Sequence, residues 1–198
     1  MNKTRLEAFS DGVLAIIITI MVLEIKVPHT TQWKELQPLL PVLLSYVMSF
    51  LLIGIYWGNH HNLLHCAKEI NSSILLSNLH LLFWLSLVPV ATGWMGENHF
   101  HANTLVVYGI LLMICGIAYT ILQYNILKSL DQKNELVVAI KKQTAKVIFS
   151  QVADVAGIVF AFINPVVSGI LFVLQSVVWL IPDRNIERAF KNLHANNN

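Results

Sequence analysis

The stretch RLEAFSDGVLAIIITIMVLEIKVP, from Arg5 to Pro28, decides the fold. Between Asp11 and Glu24 it carries no charge, and Thr19 is the lone hydroxyl among large aliphatic side chains. A helix crosses the hydrocarbon core of a bilayer in about 20 apolar residues, and the segment from about Ala8 to Val27 fits that length. It is followed by Glu24, Lys26 and Pro28, not by a small-residue cleavage site. It therefore reads as a retained helix and not as a signal peptide.

The rest of the chain repeats this theme. Of 198 residues, 56% are hydrophobic and 12% charged, with a mean hydropathy of +0.62. Apolar runs alternate with short polar breaks, the pattern of an all-α polytopic membrane protein. Six transmembrane helices are expected. The first covers about Ala8–Val27, the second about Leu39–Leu64, the third about Ser73–Trp94, the fourth about Asn103–Lys128, the fifth about Thr144–Ile163 and the sixth about Val166–Ile181. A tight turn at Asn164–Pro165 separates the last two, and Pro182 ends the sixth. Pro28, Pro38 and Pro41 mark the first loop, and Pro89 is expected to kink the third span. One membrane domain, residues 1–182, thus fills the chain, leaving a polar tail at 183–198 and no room for a soluble catalytic domain. The net charge of +2 gives no reason to invoke nucleic acid. Cys66 and Cys115 lie at or inside spans, so neither a disulfide nor a metal site is inferred.

Lysine and arginine set the orientation. With a cytoplasmic N-terminus, Lys3, Arg5, Lys68, Lys128, Lys133, Lys141, Lys142, Lys146, Arg184, Arg188 and Lys191 face inside. Only Lys26 and Lys34 face outside. This bias supports an even number of spans with both termini cytoplasmic, in the cell (inner) membrane. Trp33, Trp94 and Trp179 fall near interfaces, as belt residues do.

On a wheel of about 100° per residue with Ile16 at zero, Ile20 lies at about +40°, Leu23 at about −20° and Thr19 at about −60°. These four form one stripe toward the outer end. Glu24 lies about 80° away, and Asp11 about 140° away, facing other helices. An aliphatic stripe of this kind serves equally as a lipid-facing or packed surface or as a pore lining that closes by steric contact and dewetting. Geometry alone leaves both open.

The polar residues of the spans need partners. Asp11 sits in the inner half of the first span, and His60 and His61 near the inner end of the second. His80 and Asp154 lie about 12 Å deep in the third and fifth. One reading is a hydrogen-bonded clamp in which Arg5, Ser10, Asp11 and His60 or His61 tie the first helix to the second and third. The other is a proton relay through Asp154, His80 and Asp11. Glu24 either attracts cations at the outer mouth or is a solvated helix end paired with Lys26.

Arg5-x-x-x-Phe9-Ser10-Asp11, followed by an aliphatic span ending VLEIKVP, resembles the start of the transmembrane protein 175 family. IGIYWGNHHNLLH in the second span and NLHLLFWLSLVPVATGW in the third resemble it too. The resemblance implies a potassium channel: a homotetramer with the first helix of each subunit around a central pore. It implies Ile16 at the principal constriction, Ile20 and Leu23 at outer apolar rings, and Thr19 at a hydroxyl layer that serves cation selectivity. It also implies a polar network at Arg5, Asp11 and a histidine of the second span. Vertebrate members carry two such repeats and this sequence one, so their proton and regulatory behaviour is not transferred. No TVGYG filter is present, and VYGIL at Val107–Leu111 lies inside a span. The expected function is passive, modestly potassium-selective conduction in a lipid bilayer, with potassium as permeant, no cofactor and no catalytic residue. Two rivals stand beside it. A proton-coupled transporter or proton channel would use Asp154, His80 and Asp11. A histidine-ligated membrane metalloenzyme would draw on His60, His61, His65 and His80, but it lacks repeated histidine clusters and a carboxylate within them.

Overall fold

The computed structural model describes residues 2–29, 31–130 and 144–180. Helix α1 spans Lys3–Leu23 and starts where the Asn2 side chain accepts the Thr4 N–H. A 3-10 segment, Trp33–Leu39, leads into α2, Leu40–Cys66. Then follow α3 (Ser72–Leu85), α4 (Val88–Glu97), α5 (Ala102–Lys128), α6 (Thr144–Ala161) and α7 (Pro165–Leu180). α3 and α4 form one broken rod, so the described residues make an all-α bundle of six rods. Among the described residues, Lys3–Leu23, Trp33–Cys66, Ser72–Glu97 and Ala102–Lys128 are long and apolar enough to cross a membrane, and Pro165–Leu180 is a shorter apolar helix.

Local chemistry accounts for the breaks. Pro89 has no N–H, and its ring pushes against the carbonyl four residues earlier. The expected kink is accordingly a full interruption at Ser86–Leu87, and α4 restarts with Pro89 in its first turn. The Ser86 hydroxyl donates to Phe83 O at 2.7 Å, satisfying one carbonyl near the break. At the turn into α7, the Asn164 side chain accepts from the Val166 and Val167 N–H groups, and Pro165 opens the helix. Pro at the first helical position forfeits nothing, because that N–H has no intrahelical acceptor. Pro41 follows the same logic in the first turn of α2, whereas Pro38 lies inside the 3-10 segment, so neither stands in an open loop. Pro182, the 183–198 tail, Lys133, Lys141, Lys142, Arg184, Arg188 and Lys191 lie outside the described residues.

Rods consecutive in the chain run antiparallel, and their ends show it. Lys3 Nζ at the start of α1 donates to His65 O at the end of α2 (2.6 Å), an antiparallel pair. Lys26 Nζ just past α1 binds Glu97 Oε1 at the end of α4 (2.6 Å), so α1 and the α3–α4 rod, separated by α2 in the chain, run parallel. α1 packs on α2, α3 and α4, α5 packs on α3, α4 and α6, and α7 packs on α6, α5 and α2. Small residues let backbones approach where lipid supplies no hydrophobic drive. A Cβ at Gly96 would stand 2.8 Å from Val42 Cα and against Ser45 Oγ. The Phe172 ring fills a slot between Gly109 of α5 and Gly157 of α6, where an added Cβ would come within 2.6 and 2.5 Å of it. Ser168 of α7 donates to Gly157 O at 2.7 Å beside this slot.

Candidate conduction site

Helix α1 has two faces. Leu6, Ser10, Leu14, Ile17 and Met21 are buried against its neighbours. The opposite face carries Arg5, Phe9, Gly12, Ile16, Thr19, Ile20 and Leu23, all exposed in the protomer. Ile16 is 58% and Leu23 79% exposed, high values for large aliphatics in mid-chain. The spacing of 3 or 4 residues along this set is that of one helical stripe. Among the described residues the stripe is left open: a Cβ built on Gly12 would meet no atom within 4 Å. Thr19 Oγ1 donates to Ile16 O at 2.9 Å. Its single proton is thereby used inside the helix, and its oxygen lone pairs are left for whatever faces the stripe.

Glu24 caps the C-terminus of α1, and its side chain lies over Gly93, 3.5 Å from where a Cβ would stand. It does not pair with Lys26, which binds Glu97. The Glu97 hydrogen bond, reinforced by the Glu97 and Glu24 charges, holds the Lys26 ammonium above the ordinary lysine range.

The polar residues around the N-terminal half of α1 divide into two groups. Ser10 is fully buried, donates to Leu6 O (2.8 Å) and accepts from Asn78 Nδ2 (3.0 Å). Asn78 Oδ1 lies 2.6 Å from His60 Nε2, so the imidazole donates through Nε2, and its Nδ1 has no partner among the described residues. This chain of three joins α1, α3 and α2. Separately, Asp11 is half-buried and accepts from Trp57 Nε1 at 3.0 Å. His61 is exposed and stacks between Trp57 and His65. Arg5 stands on the exposed stripe, and no ion pair joins it to Asp11 among the described residues. Asn78 and Trp57 were not singled out from sequence, although Asn78 falls in phase with the buried Ile74, Leu81, Leu82 and Leu85 of α3. A second buried cluster was also missed. Ser49 Oγ lies 3.0 Å from Tyr108 Oη and 2.7 Å from Thr92 Oγ1, joining α2, α5 and α4.

His80 and Asp154 are not brought together. His80 is exposed on α3, where Nε2 accepts from Trp84 Nε1 at 2.9 Å. Asp154 is 2% exposed and lines a cavity among α2, α5, α6 and α7. Among the described residues, no group of three or more His, Cys, Asp or Glu is placed to hold a metal.

Residues 5–89 match the family model described as endosomal/lysosomal potassium channel TMEM175. A potassium channel from a Chryseobacterium species is 50% identical over 96% of this chain and 99% of its own length. The human endosomal/lysosomal proton channel TMEM175 is 38% identical over 42% of this chain, but only 19% of its own length is covered. The crystal structure of a TMEM175 homologue from Chamaesiphon minutus, described as a lysosomal potassium-selective channel homologue, superposes with a TM-score of 0.73 at 27% identity. The match covers 90% of this chain and 96% of that one. On the full-length likeness to the Chryseobacterium channel, this chain belongs to the TMEM175 channel family.

Proposed function

We propose that this chain forms a potassium-permeable cation channel, a homotetramer in which the exposed α1 stripe of four subunits surrounds the pore. The observation that carries this reading is the stripe itself. It runs the length of α1, is uncovered in the protomer, and combines an arginine, a glycine and a threonine with large aliphatics. A purely lipid-facing surface has little use for a glycine and a hydroxyl in mid-span, whereas helices packed closely around a pore do. The naming of the Chryseobacterium and Chamaesiphon relatives as potassium channels agrees with it.

In this reading Ile16, Ile20 and Leu23 form apolar rings that close the pore by contact and dewetting. Thr19 presents an oxygen ring to a partly dehydrated ion. Glu24 stands near the outer mouth and raises the local cation concentration. Potassium moves passively and with modest preference over sodium, across the cell (inner) membrane, with both termini cytoplasmic. Ser10, through Asn78 to His60, and Asp11, through Trp57, hold α1 in register from behind, while Arg5 lies on the stripe itself and His61 faces outward.

The test is potassium flux in liposomes, wild type against Ile16→Asn. A polar ring hydrates the constriction, so leak rises and potassium–sodium discrimination falls. Unchanged flux and selectivity would remove Ile16 from the gate. The human relatives are named proton channels, so proton flux belongs in the same assay. Conduction through Asp154, His80 and Asp11 is the weaker reading here, since no hydrogen bond among the described residues links any two of them.

A further inference from the structure

The cavity among α2, α5, α6 and α7 lies apart from α1, which contributes no residue to it. Its volume is ≈ 60 Å³, several times what one water needs on the same measure, about 10–15 Å³, so a small ion and a few waters fit. Asp154 and Gln175 line it, along with the amides of Asn59 and Gln151 and the rings of Tyr56, Tyr119 and Trp179. Asp154 and Gln175 are 2% and 5% exposed. Among the described residues, Asp154 Oδ1 and Gln175 Oε1 are both buried without a hydrogen-bond partner, although the Gln175 side chain hydrogen-bonds the Asp154 carboxyl elsewhere. Trp179 Nε1 is already engaged, donating to Ser150 Oγ at 2.6 Å.

Two orphaned acceptor oxygens, carried side by side by residues that line one cavity, call for a donor or a cation. A buried carboxylate is tolerated only when its charge is balanced. Among the described residues, no Lys, Arg or His lines this cavity. The available ligands are oxygens, which suit a hard ion, and a single carboxylate is too few for a divalent site built of several.

We infer that this cavity binds one monovalent alkali cation, with Asp154 as its counter-charge and Gln175 Oε1 as a neutral ligand. The ion bridges α6 and α7, and it sits inside each protomer, off the proposed conduction axis. The site does not depend on the pore reading: it would exist whether or not α1 lines a pore.

The experiment is thermal melting of the full-length protein in detergent, with potassium or sodium exchanged for N-methylglucamine at constant ionic strength. In wild type either alkali ion raises Tm, and Asp154→Asn, which keeps the side-chain shape, loses that rise. Thr19→Ala retains it. A wild-type Tm indifferent to the cation overturns the inference and makes Asp154 a protonated acid. A rise kept by Asp154→Asn and lost by Thr19→Ala also overturns it, by moving the ion to α1. Should Asp154→Asn fail to fold, wild-type crystals soaked in thallous ion decide the matter. An anomalous peak beside Asp154 and Gln175 supports the site, and peaks found only elsewhere refute it.

Discussion

Asn78 does more for α1 than any of its own charged residues. It donates to Ser10 and accepts from His60, joining three helices with one amide that is fully buried. Replacing it with leucine leaves the His60 Nε2–H without an acceptor in the bundle interior. The expected cost is about 1–3 kcal/mol, the range for stranding one buried polar group. Denaturant unfolding of Asn78→Leu in detergent measures it, and Asn78→Asp, which keeps the acceptor, should recover part of the loss. A stability equal to wild type would mean that water or a rearranged serine satisfies the histidine. At this scale the sequence is only half legible. Ser10 and Asp11 stand out because they precede an aliphatic run. Asn78 does not, because its importance lies in a partner 68 residues away. The choice between His60 and His61 is likewise invisible in the adjacent letters. It is made by helical phase, which turns His60 inward with Leu63 and Leu64 and His61 outward.

Helix ends and breaks are read more easily than helix contacts. Asn2, Pro89 and Asn164–Pro165 act within a turn of themselves, so their effects are local and visible in the string. The close α2–α4 approach is not: GWMG gives no hint that Gly96 meets Val42 and Ser45. Gly96→Ala should therefore destabilise the bundle by about 1–3 kcal/mol through overpacking, while Gly12→Ala, with open space around it, should not. Unfolding midpoints of the two variants make the comparison, and equal midpoints would show that α2 and α4 can separate freely. The α1 and α4 ends are tied differently, by the Lys26–Glu97 pair in water. Because the folded lysine is held above the ordinary 10.5, the contribution of the pair is fully present below that value. It is lost as pH rises through the folded-state value. Stability measured against Lys26→Met should accordingly differ by a constant from pH 7 to 9 and converge only at higher pH. Such an exposed pair is worth little, and salt weakens it further.

The whole molecule turns on what covers α1. Five of its residues are buried inside the protomer and a continuous stripe is not. Sequence periodicity locates that stripe but is silent on its neighbour, since lipid and a second subunit both accept apolar side chains. Gly12 separates the two cases. A side chain added there meets nothing within its own chain, so Gly12→Trp leaves the protomer intact whichever case holds. If the stripe faces three sister subunits, four indoles must fit where four hydrogens stood. The tetramer should then give way to smaller species in native mass spectrometry, with helical content unchanged by circular dichroism and potassium flux lost in liposomes. If the stripe faces lipid, the indole is accommodated by the bilayer and neither mass nor flux changes. A tetramer that survives Gly12→Trp with flux intact would take α1 off the pore axis and return Ile16, Thr19, Ile20 and Leu23 to the lipid.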